Sequence, residues 1–536
     1  MSATADAARP ALAFATTTAG VVRGCVRHLD GRPVRTFLGV PYAESPAGGR
    51  RFLPPLPVQP WEGTRDCTAP GAMAPQNADA FTPPSDRFPE LWDEESCLNV
   101  NVWTPGADGG GRPVLVWIHG GAYLTGSNNG ALHDGGALAS AMDVVVVALN
   151  YRLGALGFLH LPELLGPAYA DSSNVALLDQ LEALRWVARN IASFGGDPGN
   201  VTLFGESAGA AAVGTLLGMP ASEGLFRRAI LQSGTAERFR SAEESALVTQ
   251  EFLGLCGLDA ARAKELLDLP VGQLLAAQNA LESAAAAVTF GVPLPFQPTA
   301  GTPAIPRPPL DAIRLGCNSR IDLLVGTNLN EGSFAVEFRP AAPSDPPQLA
   351  DRVDLMLARA SSNPSGARAS YEEALARTLG LPPNGKQLLE AYLADVHYRQ
   401  PTNRLLAARS GSQGKNFSYL FTWESPAMGG KLGSCHALDI PFVFRQLEAA
   451  EAKFLTRGIA PQALGDSMSS AWANFARSGA PQAAGLPPWP EYGRQHRQTM
   501  ILDVISRVES DPRGALREFW AADQAVRPTI GSGGPG

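Results

Sequence analysis

The 536-residue chain is predicted to fold as a doubly wound α/β protein with a mostly parallel central sheet. Two observations carry this expectation: short apolar, β-branched runs end in Gly or turn residues, and helical segments separate them. Continuous apolar runs suit strands covered on both faces, as parallel strands are. The runs are Val114–Ile118, Val144–Ala148, Val201–Phe204, Ala229–Leu231 and Ile321–Val325. Between them, Asn174–Ile191 places Leu177, Leu178, Leu181, Leu184 and Val187 at helical spacing, an amphipathic stripe that packs on a sheet.

Two Ala- and Leu-rich stretches, near 242–316 and 344–415, interrupt the alternation. Both read as helical insertions over the functional edge of the sheet. The remaining boundaries are a flexible N-terminus over 1–17, a single catalytic domain over 18–527 and a flexible Gly-rich tail over 528–536. Hydrophobic residues make up 45% and charged residues 18%, enough apolar material for a core of this size. The net charge of -8 argues against a nucleic-acid partner, which would want a basic face.

The first twenty residues show neither a basic leader nor a sustained apolar run, and no stretch approaches 18 uninterrupted apolar residues. The expectation is a cytoplasmic protein without a membrane span, monomeric or homodimeric. The six cysteines are irregularly spaced, with no CxxC or Cys/His cluster, so free thiols are expected and no metal.

Chemistry concentrates in three places. Gly205-Glu206-Ser207-Ala208-Gly209 matches G-x-S-x-G, a sharp strand-to-helix turn that lifts a serine above the sheet. With 56 glycines in the chain the motif alone is weak, but a strand-like run precedes it and the small-residue start of a helix follows. Ile118-His119-Gly120-Gly121-Ala122-Tyr123 follows another strand. Small residues there let neighbouring amides converge into an oxyanion hole, assigned to Gly121, Ala122 and Ala208. His119 reads as a structural neighbour of that loop.

A neutral serine needs a base. Where this elbow occurs, in α/β-hydrolases, the order is serine, acid, histidine, which leaves His397, His436 and His496. His397 falls in a helical segment and His496 in a charged stretch, whereas His436 sits in a loop, so it is selected. Glu331, in Asn328-Leu329-Asn330-Glu331-Gly332 after a strand, meets the demand for an acid.

The chain resembles the carboxylesterase type B family, which spans bacterial para-nitrobenzyl esterases, animal carboxylesterases and cholinesterases. The resemblance runs from about Thr18 to about Leu502, through Phe37–Ala43, Glu95–Trp103, Asn150–Gly154 and, most specifically, Phe194–Gly209. It implies the α/β-hydrolase fold and the triad Ser207, Glu331 and His436. It further implies that Ser233 supports the triad, that Glu206 is a buried acid beside the nucleophile, and that Arg51 pairs with Glu95 and Arg152 with Asp179.

Several positions depart from the family pattern. Ala122 stands for the third glycine of the oxyanion loop and keeps its N–H. Ala74 occupies the usual partner position of Cys97, and Cys256 lacks a partner, so the family disulfides are not expected. Ser96 replaces an Asp, and nothing in the sequence explains that change. Arg87 replaces the cholinesterase Trp, so a choline site is not expected there.

The implied activity is hydrolysis of short- to medium-chain or aromatic carboxylic esters without a cofactor. Pro293-Leu294-Pro295-Phe296 suggests a hydrophobic pocket for them. Carbamates or amides are the alternative substrates. A non-catalytic binding protein of this fold is the alternative class, set back by the presence of all three triad residues.

Overall fold

The computed structural model describes residues 11–78, 91–288, 295–338, 353–358 and 364–522. Its strands are β1 (Leu12–Thr16), β2 (Val21–Leu29), β3 (Arg32–Pro41), β4 (Thr64–Asp66), β5 (Asn99–Thr104), β6 (Arg112–Ile118), β7 (Val145–Leu149), β8 (Gly196–Glu206), β9 (Arg228–Gln232), β10 (Asp322–Asn328), β11 (Asn416–Phe421), β12 (Gln498–Leu502) and β13 (Arg507–Ser510). They form one sheet in the order β1-β2-β3-β5-β7-β6-β8-β9-β10-β11-β12-β13, with β4 beside β2. From β7 to β12 the neighbours run parallel. The flanks formed by β1, β2, β3 and β5, and by β13, join antiparallel.

The apolar runs became central strands because both faces are covered. In β6 the two-residue period sends Val114, Val116 and Ile118 into one core and Leu115 and Trp117 into the other. The helix Val175–Asn190 packs Leu177, Leu181, Leu184 and Val187 into the first core. The helix Gln462–Ser478 supplies Trp472 and Phe475 to the second. Of these sheet positions, β6 matters most for function. Its neighbours β7 and β8 both follow it in sequence but lie on opposite sides, so the chain reverses direction across the sheet there. Such a switch point opens a crevice outside the carboxyl ends of the strands.

Near 242–316 the chain forms the helices Ala242–Leu255 and Val271–Val288, and Phe252, Leu274 and Leu281 extend the first core. Phe296 belongs to that core as well, edge-on to Phe252 with ring centres 5.8 Å apart, so it serves packing. Pro293 and Leu294, Arg87, the start of the 344–415 stretch and the tail over 528–536 lie outside the described residues. The helices Pro364–Leu379 and Gly385–Ala394 share a third core with Leu516 of the helix Gly514–Ala522. Among the described residues no helix is long and apolar enough to cross a membrane.

Two expectations are corrected. Residues 12–16 of the supposed flexible N-terminus form β1, paired with Val21–Cys25 of β2. Arg51 pairs with Glu94, not Glu95: Nε and Nη2 donate to the two carboxylate oxygens at 2.7 Å each. Glu94 turns inward and Glu95 is exposed, so only Glu94 can meet the buried guanidinium.

Arg152 and Asp179 pair as expected, with Nη2 and Nε donating at 2.6 and 2.8 Å and side chains 3% and 0% exposed. Removing one partner of such a pair strands a buried charge. Asp179→Ala is expected to cost about 3–5 kcal/mol, read from urea unfolding; a loss below about 1 kcal/mol, the surface-pair range, would refute this account.

Candidate active site

Ser207 sits between the end of β8 and the helix Ala208–Leu217, with φ 55° and ψ -121°. A non-glycine residue there is strained, and the surroundings must hold it. Its N–H donates to Gln232 O at 2.9 Å, and its carbonyl accepts from Ala211 N at 2.9 Å. The flanking glycines leave no room for side chains. A Cβ on Gly205 would lie 2.7 Å from Ile118 O, and one on Gly209 only 2.1 Å from the same oxygen. Gly209→Ala is therefore expected to destabilise the fold by about 3 kcal/mol, the upper end of overpacking. A denaturant midpoint equal to wild type would contradict this.

His436 and Glu331 come from loops more than a hundred residues apart. Asn330 N donates to Ser434 O at 2.8 Å, Ser434 N to Asn330 Oδ1 at 3.1 Å, and Asn328 Nδ2 to Cys435 O at 2.7 Å. These bonds lock the two loops together. His436 Nδ1 then lies 2.6 Å from Glu331 Oε2, and Nε2 lies 2.9 Å from Ser207 Oγ. The second oxygen of Glu331 accepts from Ser233 Oγ at 2.5 Å and from Asn328 N at 2.7 Å. Ser233, Glu331 and His436 thus stand in one hydrogen-bonded line ending at Ser207.

Glu206 is buried, with Oε1 3.1 Å from His436 Nε2. Burial pushes its carboxyl up to about 8. Burial opposes charging of the imidazole, but Tyr398, Glu206 and Glu331 outweigh it and hold His436 well above its ordinary value. Glu206 and His436 together therefore keep a proton to higher pH than either would alone.

The loop after β6 presses on the serine: a Cβ on Gly120 would lie 3.2 Å from Ser207 Cβ. Gly121, Ala122 and Tyr123 have consecutive positive φ values of 102°, 58° and 63°. This curl turns successive amides the same way. Among the described residues, the N–H groups of Gly121, Ala122 and Ala208 make no hydrogen bond. His119 braces the curl: Nδ1 is 2.8 Å from Gly120 O, and the ring stacks on Tyr151 at 4.6 Å. Burial pushes its pKa down to about 4, so it stays neutral.

The alternatives lie elsewhere in the chain. His496 is exposed in a turn, and His397 is in the wide helical turn Asp395–Arg399. Three neighbours of the site escaped the sequence reading. Tyr398 packs its ring 4.8 Å from that of His436, and Arg399 Nη2 donates to Asn328 O at 3.1 Å. Asp439 accepts from Gln232 and Tyr419, at 2.9 and 3.0 Å. Only Asp439, three residues after His436, carried a signal in its position.

A sheet of this order, with its crevice at the ends of β6 and β8, is that of an α/β-hydrolase. Residues 11–520 match the model of the carboxylesterase family. The chain belongs to that family and is a serine carboxylesterase. It is 35% identical to the para-nitrobenzyl esterase of Bacillus subtilis (strain 168), over 94% of this chain and 97% of that protein. It is 35% identical to the phenmedipham hydrolase of Pseudarthrobacter oxydans, over 91% and 94%. The crystal structure of a Geobacillus stearothermophilus carboxylesterase at pH 6.2 superposes with a TM-score of 0.81 at 34% identity, covering 95% of this chain and 99% of that one.

Proposed function

We propose that Ser207, His436 and Glu331 are the catalytic triad of an esterase acting on short- to medium-chain or aromatic carboxylic esters. The observation that carries the reading is the unbroken chain of contacts from Glu331 Oε2 through the imidazole to Ser207 Oγ. His436 Nε2 takes the hydroxyl proton as Oγ attacks the ester carbonyl. The amides of Gly121, Ala122 and Ala208 receive the oxyanion, since they are free to donate and border the serine. His436 returns the proton to the departing alcohol, and water then releases the acid by the same route. Ser233 positions Glu331. Glu206 sets the proton affinity of the base. The name para-nitrobenzyl esterase, borne by a relative over nearly its whole length, supports aromatic esters as substrates.

Fluorophosphonate labelling followed by peptide mapping tests the nucleophile: the adduct belongs on Ser207, and an adduct elsewhere discards the assignment. A panel of para-nitrophenyl acyl esters tests the acyl range. The pH dependence follows from the base. His436 works only when neutral, and its raised proton affinity moves the acid limb of kcat/KM above the 6.5 of free histidine. Activity falls as pH drops through that limb. Glu206→Gln removes a carboxylate that favours the cation, so the limb is expected to move down by about one pH unit. An unmoved limb would show that Glu206 does not act on the base.

A further inference from the structure

A cleft of about 1280 Å³ opens beside the helix Gln400–Ala408, and neither Ser207 nor His436 is among the described residues lining it. Its charge is opposite to that of the chain. Among the described residues that line it, seven arginines face three acids, in a protein of net charge -8. Three of the arginines are matched: Arg404 with Glu237 at 2.6 Å, Arg314 with Asp311 at 2.6 Å and Arg517 with Asp511 at 2.7 Å. Glu244 spends an oxygen on the backbone N–H of Ser241, at 2.9 Å. Arg238, Arg409, Arg494 and Arg497 make no ion pair with a carboxylate among the described residues, although Arg238 lies over the Tyr398 ring, 5.5 Å from its centre.

Arg409 makes the imbalance specific. It is 2% exposed, donates through Nε to Asn416 Oδ1 at 2.8 Å and through Nη2 to Ile321 O, yet its buried Nη1 has no acceptor. That nitrogen is shielded from the cleft, so the guanidinium charge stands under-compensated in the wall, and an anion in the cleft would offset it through space. The walls are not uniformly polar: Leu310, Ile313, Val396 and Trp520 line the same space.

We propose that this cleft is a second binding site, apart from the triad, for an organic carboxylate with an apolar body. The planar fork of arginine matches a carboxylate in geometry and charge, and the apolar wall covers the remainder of the ligand. Ester hydrolysis releases molecules of this class.

The test is calorimetric titration of the full chain, with Ser207 first blocked by a fluorophosphonate, using octanoate, octanamide and acetate. Octanoate binds saturably, and octanamide, without the charge, and acetate, without the body, each bind at least about tenfold more weakly. Arg494 is exposed and Arg497 half-buried, so R494Q/R497Q is compatible with folding. That variant weakens octanoate by about tenfold and leaves octanamide unchanged. Equal affinity for octanoate and octanamide, acetate as tight as octanoate, wild-type octanoate affinity in R494Q/R497Q, or no saturable octanoate binding would each overturn the proposal.

Discussion

Ser207→Ala is expected to lower kcat for a para-nitrophenyl ester by about 10⁴- to 10⁶-fold. In the proposed mechanism the hydroxyl is the attacking atom, and among the described residues the other side chain at hydrogen-bond distance from His436 Nε2 is the Glu206 carboxylate, a far weaker nucleophile toward an ester. The fold should survive. Ser207 holds its strained backbone through main-chain bonds to Gln232 and Ala211, which alanine keeps. The loss should therefore appear in kcat with the melting temperature nearly unchanged. Adding His436→Ala to Ser207→Ala is expected to cost little more, because a base has no task once its nucleophile is gone. If the double variant were slower than Ser207→Ala by the full single-variant factor, His436 would be acting on something other than Ser207.

Legibility of the fold followed burial. Strands covered on both faces declare themselves as unbroken apolar runs, and β6 to β10 were all visible that way. β1 was not, because its alternation is inverted. Ala13 and Ala15 point inward, while Leu12 and Phe14 are 53% and 54% exposed. Small residues on the buried face and large ones outside give no strand-like pattern to read.

Legibility of the site followed local constraint. Ser207 was legible as a candidate because its turn demands glycines on both sides. His436 was legible as a candidate because chain order left few histidines to choose from. The Arg51 partner was missed by one position, since two adjacent glutamates differ only in which way the chain turns them. Tyr398 and Arg399 were out of reach for another reason. They lie on the inserted helical stretch and reach His436 and the acid loop because Asp395–Arg399 packs there, a contact that no local pattern encodes.

Glu331→Gln should be nearly as damaging as loss of the nucleophile, at about 10⁴-fold in kcat, although it changes one oxygen to nitrogen. The cause is the wiring around the carboxylate. Asn328 N can only donate, and it points at Oε1 from 2.7 Å. A glutamine must therefore leave its oxygen there and turn its NH₂ toward His436 Nδ1. Nδ1 then has to accept, which moves the single imidazole proton to Nε2. With a proton on Nε2, the ring faces Ser207 Oγ as a donor and cannot take its proton. Packing is almost unchanged, so KM and the melting temperature should stay close to wild type while kcat collapses. Ser233→Ala probes the same wiring more gently. It removes one of two donors to Oε1 and leaves Asn328 N in place, so a loss of about tenfold is expected. Proton NMR provides the independent readout: the far-downfield Nδ1–H signal of His436 should be present in wild type and Ser233→Ala and absent in Glu331→Gln. Glu331→Gln activity within tenfold of wild type, or a persistent downfield signal in that variant, would mean that the carboxylate does not fix the tautomer.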